Sequence, residues 1–140
     1  MPRFSSTSKL RLSSCHPNLV KLMESAIKDY DFAIICGYRS EQDQNAAYNA
    51  RKSKLKYPQS KHNIQPAMAV DIAPVKYNEN GSVWIDWDDL QTFFDLHKVV
   101  MEHAKKLGLK IRWGGDWDGN PLTRNKFNDY VHFELLEGIV

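Results

Sequence analysis

A carboxylate stands inside an apolar run: Asp71 lies between Val70 and Ile72 in the stretch MAVDIAP. A short β-branched run of this kind reads as a strand, and an unpaired carboxylate buried in one is expensive. Any fold open to this chain must therefore turn Asp71 to solvent or bring it a partner. The C-terminal stretch NDYVHFELLEGIV poses the same problem. Alternation puts Val131, Phe133 and Leu135 on one side of a strand and His132 and Glu134 on the other, with Asp129 just upstream.

The rest of the chain supplies elements to cover the apolar faces. Leu19, Met23, Ala26, Ile27 and Tyr30 recur at helical spacing behind Pro17, a residue suited to a first helical turn, so residues 17–30 read as an amphipathic helix. The wholly apolar FAIICGY (Phe32 to Tyr38) reads as a buried strand. Ser40 is placed to cap a second helix over 41–51, with acids in its first turn. Asn80-Gly81 is a hairpin signal between two strand-like runs. Asp86 is the expected cap of a long helix with Leu90, Phe93, Phe94, Val100, Ala104 and Leu107 on one face, and Gly108 ends it. A short strand, LKIRW, precedes a Gly-, Asp- and Asn-rich loop. With no repeat and no linker in 140 residues, the expectation is one α+β domain, helices packed on a small, mainly antiparallel sheet.

The net charge of +2, from 19 basic and 17 acidic residues, gives no basic stripe of the kind that holds nucleic acid. The densest basic stretch, Ala50 to Lys61, reads as a solvated loop. Two cysteines build neither a disulfide framework nor a Cys-rich zinc site; Cys36 reads as a small buried residue, and nothing requires it to pair with Cys15. No apolar segment long enough for a signal peptide or a membrane span is present, so the expectation is a chain made in the cytoplasm without a membrane anchor.

Of the five histidines, His16, His97 and His103 read as surface or locally bonded residues, His97 and His103 being six apart on a helix and so not on one face. His62 is followed at close range by Asp71, and with His132 these make a His/Asp/His set. Three ligands of N and O type with a fourth position for water is the composition of a catalytic zinc site. The competing reading is three unconnected polar residues, and spacing alone leaves both open.

Three motifs in order resemble one family. SKHNIQPAMAVD is similar to the Ser-x-His and Ala-x-Asp signature of the zinc D-alanyl-D-alanine carboxypeptidases and phage L-alanyl-D-glutamate endopeptidases. DYVH is similar to their acid-x-x-His element, and GYRSEQDQNAAY to their Gly-Tyr-Arg-Ser element with its following Gln and Tyr. The likeness runs over almost the whole chain, including HPNLVKLMESAI, IDWDDL and WGGDW. It implies one catalytic zinc ion on His62, Asp71 and His132, Asp129 as proton carrier, Arg39 facing the tetrahedral intermediate, and Ser60 and Gln44 in substrate contact or support of the site. The departure is spacing: the family pattern has seven residues from His to Asp, whereas His62 and Asp71 are nine apart, with Ala67 where glycine is usual. A loop absorbs two residues at little cost, so a reshaped rim is expected rather than a lost site.

The resemblance implies a peptidase acting on bacterial peptidoglycan stem peptides, a monomer reaching the wall after release from the cell. L-alanyl-D-glutamate cleavage is the favoured bond and D-alanyl-D-alanine carboxypeptidase activity the alternative. A non-catalytic wall-binding module is the rival of another class, against which Asp129 counts, since a pure binder has no use for that acid. His-Glu-x-x-His and Gly-x-Ser-x-Gly are absent, excluding a thermolysin-like zinc helix and a nucleophile elbow. Trp113 and Trp117 read equally as groove walls or as core.

Overall fold

The computed structural model describes residues 2–116 and 129–136. In chain order the elements are α1 (Ser6–Leu12), α2 (Pro17–Ala26), β1 (Phe32–Cys36), α3 (Glu41–Asn49), β2 (Ala69–Pro74), β3 (Lys76–Tyr77), β4 (Val83–Trp84), α4 (Leu90–Leu107), β5 (Ile111–Trp113) and β6 (His132–Leu135), with 3-10 turns at Lys61–Asn63 and Gly114–Asp116. The main sheet is antiparallel throughout, in the order β1-β2-β6-β5, and β3 and β4 form a separate hairpin. The expected α+β architecture is what the chain adopts.

Pleating divides the sheet into two chemically distinct faces. Val70 pairs with Phe133 and Asp71 with His132, so one face carries Ile34, Val70, Ile72, Phe133 and Leu135 and the other carries Asp71, His132 and Glu134. The apolar face joins one core with Leu19, Leu22, Met23 and Ala26 of α2 and Leu96, Val100 and Ala104 of α4. Several of these side chains are fully excluded from water, each burial worth about 1.5–3 kcal/mol. A one-residue slip in β2 or β6 would drive the polar set into that core, so burial on one face fixes the register of the other.

Several expected boundaries move. α2 ends at Ala26, and Ile27 to Tyr30 fold into turns whose N–H groups return to Met23, Ser25 and Ala26. These turns deliver Phe32 directly into β1. The long helix starts at Leu90 with Asp89 at its cap position, not Asp86. Asp86 instead accepts the Asp88 N–H and faces Lys76. Gly108 closes the helix in the left-handed region at φ 72°, as expected. The hairpin around Asn80-Gly81 forms, but each strand has only two residues.

α1 has no counterpart in the sequence expectations, and it covers an edge. β1 is the outer strand of its sheet, with backbone groups facing away from β2. Ser8 Oγ accepts the Ile34 N–H at 3.0 Å, and Arg11 donates to the Ile34 carbonyl at 3.0 Å. Side chains of α1 thus do for this edge what a further strand would do.

Candidate metal centre

The polar face of the sheet is a row. Asp71 on β2 lies opposite His132 on β6, and both are nearly excluded from solvent. His62 reaches the row from the 3-10 turn Lys61–Asn63. That turn is closed by a capping box in which Ser60 Oγ accepts the His62 N–H and Asn63 Oδ1 accepts the Ser60 N–H. The Lys61 carbonyl takes the Met68 N–H, tying the foot of the longer His62-to-Asp71 loop next to β2. Although His62 and Asp71 are nine residues apart in sequence, both side chains still meet.

Each imidazole is oriented by the nitrogen that points away from Asp71. His62 Nδ1 lies 2.8 Å from the Gly37 carbonyl, which can only accept, so this nitrogen carries the proton. His62 Nε2 then turns toward Asp71 Oδ1 at 3.1 Å. His132 Nε2 lies 2.8 Å from Glu134 Oε1, while its Nδ1 faces the same Asp71 Oδ1 at 3.3 Å. Neutral rings held this way direct two nitrogen lone pairs at one carboxylate oxygen. Such an arrangement requires a cation or added protons at its centre.

The titration of the groups expresses this demand. Burial opposes a charge on His62, but the Asp71 carboxylate outweighs it and raises the ring to about 10. His132 is raised against burial by its hydrogen bonds to Asp71 and Glu134. Burial pushes the Asp71 carboxyl up, but the charge of His62 and the bonds from both rings hold it well below the usual carboxylate range. A site that draws protons onto two buried histidines suits a dication, and His/Asp/His is a donor set zinc accepts.

Other side chains hold this centre in place. Arg39 Nη2 sits 3.4 Å from Asp71 Oδ2, leaving Oδ1 to the two rings. Gln44, fully buried, accepts from Arg39 Nη1 at 3.0 Å and gives its amide hydrogens to Ser53 Oγ and the Leu55 carbonyl. Asn63 donates to the Arg39 carbonyl and to Gln44. Gln44 and Ser60 are both buried, spending their hydrogen bonds on Arg39 and on the turn that carries His62. Glu134 is bound on its other oxygen by Lys61 Nζ at 3.2 Å; burial would raise its carboxyl, but His132 and Lys61 bring it down to about 2.

Asp129 stands beside this set, its carboxylate oxygen within 4.8 Å of ligand atoms of Asp71 and His132. Burial, and then the like charge of Asp71, raise its carboxyl to about 6. Its backbone is pinned on both sides, the N–H to the Gly114 carbonyl at 2.9 Å and the carbonyl to the His132 N–H at 3.1 Å. A cleft of about 180 Å³ opens next to it, lined by Trp87, Leu90, Phe93, Tyr130 and Val131.

Trp113 is core, 2% exposed, with its indole N–H on the Tyr130 carbonyl, and the exposed aromatic beside the cleft is Trp87. Trp117 lies outside the described residues. His103, read as a surface or locally bonded residue, is buried and hydrogen-bonded to Ser25 and Asp29. His16 caps α2 by accepting the Asn18 N–H. Among the described residues no helix is long and apolar enough to cross a membrane.

A sheet face and the segments beside it that gather a carboxylate, two imidazoles and a second acid define a candidate mononuclear metal centre. Comparison with known proteins gives the family. The model of the phage L-alanyl-D-glutamate peptidase family matches residues 1–136. The L-alanyl-D-glutamate peptidase of Escherichia phage T5 is 34% identical over 97% of this chain and 90% of its own length. The crystal structure of the Serratia marcescens L-Ala D-Glu endopeptidase ChiX superposes with a TM-score of 0.73 at 27% identity, covering 96% of this chain and 90% of that one. The chain belongs to the phage L-alanyl-D-glutamate peptidase family.

Proposed function

We propose that this chain is a single catalytic domain that hydrolyses the L-alanyl-D-glutamate bond of peptidoglycan stem peptides, using one zinc ion held by His62, Asp71 and His132. Family membership supports the peptidase activity and the bond. The observation that carries the metal reading is the pair of imidazoles, each fixed by its outer nitrogen, converging on Asp71 Oδ1.

Lewis-acid polarisation of the scissile carbonyl and acidification of the attacking water are what such an ion supplies when bound. The chain's own residues do the rest. Asp129, raised toward neutrality, takes a proton from the attacking water and returns it to the departing amine of D-glutamate, a role worth about 10² to 10⁴ in rate. Arg39, permanently charged and part-exposed at the rim of the set, faces the oxyanion as it develops. Ser60 and Gln44 act by holding His62 and Arg39. The stem peptide lies along the cleft beside Asp129. The chain acts as a monomer and reaches the wall only after release from the cell that makes it.

The test is incubation with purified peptidoglycan, with new amino groups counted and new termini identified by mass spectrometry. N-terminal D-glutamate that disappears on chelation and returns with zinc is the expected result. Release of free D-alanine would reassign the bond, and cleavage that survives both chelation and Asp129→Ala would overturn the mechanism.

A further inference from the structure

β1 carries an irregularity whose position matters. Ile34 pairs with Ile72, and regular pairing would set Ile35 opposite Asp71; instead Asp71 faces Cys36. One extra residue on β1 has re-aimed the side chains, which is what a bulge does beside a functional site. The result puts a thiol, and not an isoleucine, on the polar face. Cys36, Asp71 and His132 become neighbours along one row of three strands.

The thiol is within reach of two donors already described. Cys36 Sγ, a ring nitrogen of His62 and a carboxylate oxygen of Asp71 all lie within 4.8 Å of one another. The second cluster, Asp71, Asp129 and His132, meets the first at Asp71. Cys36 is a free thiol, and its half-buried side chain lies where a small ion can approach.

We propose that Cys36, His62 and Asp71 form a second donor set that takes a thiophilic divalent cation of the cadmium type. Thiolate sulfur is the soft ligand of the group and selects soft ions, whereas the His62/Asp71/His132 set offers only nitrogen and oxygen. Capture deprotonates Cys36: the sulfur-metal bond forms as the thiol proton leaves to solvent. The two sets share His62 and Asp71, so one chain holds one ion, in one set or the other. A thiophilic ion bound through Cys36 excludes zinc and silences the enzyme without touching His132 or Asp129.

The full chain, stripped by a chelator, is titrated with cadmium chloride and followed by ultraviolet absorption. A sulfur-to-cadmium charge-transfer band saturating at one ion per chain is expected. Cys36→Ser and Cys36→Ala lose it, and Cys15→Ser keeps it. His132→Ala keeps the cadmium band, and His62→Ala loses it. Circular dichroism confirms that each variant is folded. No band in the wild type, a band that persists in both Cys36 variants, or zinc and cadmium bound together at two ions per chain overturns the proposal. Zinc retention without a cadmium band refutes the thiolate set alone. A cadmium band in a wild-type chain that binds no zinc refutes the zinc reading and leaves the thiolate set standing.

Discussion

His132 and Glu134 project from the same face of β6, and the outer nitrogen of the ring lies 2.8 Å from Glu134 Oε1. Glu134 therefore fixes which nitrogen of His132 turns toward Asp71, and Lys61, 3.2 Å away on the other oxygen, fixes Glu134. Outer carboxylates of this kind set the tautomer and basicity of a metal-binding ring. Glu134→Ala is expected to weaken zinc binding about 10- to 100-fold, measured by competition with a chelating indicator. Glu134→Gln, still an acceptor but uncharged, should fall between. Unchanged zinc affinity in Glu134→Ala would remove the residue from the site.

Asp129→Asn should separate chemistry from metal binding. The amide keeps the shape of the side chain but cannot take a proton, so kcat is expected to drop by about 10² to 10⁴ with zinc content intact. In the wild type the carboxyl, raised to about 6 by burial and by Asp71, must be ionised to act. Activity should therefore decline as pH falls through about 6 or below, the charge of a bound cation moving the limb downward. A profile with the same acid limb in Asp129→Asn would assign that limb to another group.

The metal-free chain should lose stability as pH rises. His62 has a folded value of about 10 against 6.5 for an unperturbed ring, so the native state binds the extra proton. Its contribution is complete below 6.5 and disappears as pH climbs from there to about 10. Glu134 works in the opposite sense: held down at about 2, it stabilises above its ordinary 4.5 and is lost as pH falls from there toward 2. Thermal melts of the stripped protein should thus show a fall between pH 6.5 and 10, and the increase in Tm on adding zinc should widen over that same range. A melting temperature flat over that window would contradict the protonated His62.

Much of this was legible in local pattern. The runs containing Ile34, Asp71 and Phe133 are strands, and Ser40 and Gly108 bound α3 and α4 as read, because periodicity and caps are carried by neighbouring residues. The His62/Asp71/His132 meeting was legible from family motifs and not from spacing, since it depends on a loop closing over nine residues. What escaped is non-local. α1 lies in a serine-rich stretch with little apolar periodicity, and its value is the covering of β1's edge by Ser8 and Arg11. The burial of Gln44 follows from partners at Arg39, Ser53, Leu55 and Asn63, and no apolar periodicity around position 44 announces it, although the family motif marked the residue. The facing of Cys36 and Asp71 depends on a single inserted residue in a ladder, invisible in FAIICGY itself.

His103 clamps the two helices that cover the sheet. Its Nε2 lies 2.6 Å from Asp29 Oδ2 and its Nδ1 2.6 Å from Ser25 Oγ, so the carboxylate accepts from one nitrogen and the serine hydroxyl donates to the other. His103→Ala removes both bonds from a buried position and is expected to cost about 1–3 kcal/mol by denaturant unfolding. Asp29, whose side chain is 60% exposed, should lose less than about 1 kcal/mol as Asn. Specific activity of the folded fraction should not change in either variant, since neither residue belongs to the candidate metal centre.

Gly114 tests how closely Asp129, the proposed proton carrier, must be held. A Cβ at this position would lie 2.3 Å from the Asp129 carbonyl oxygen and 2.9 Å from its Cβ, distances real side chains do not reach. The backbone N–H of Asp129 is bonded to the Gly114 carbonyl, so the two segments cannot separate without breaking that bond. Gly114→Ala must therefore push Asp129 away from Asp71 and His132 or strain β5, at about 1–3 kcal/mol of stability. The expected outcome is a fall in kcat close to that of Asp129→Asn with zinc retained, because the three proposed ligands stand on β2, β6 and the Lys61–Asn63 turn. A Gly114→Ala enzyme with normal kcat would show that Asp129 need not sit where the Gly114 contact puts it.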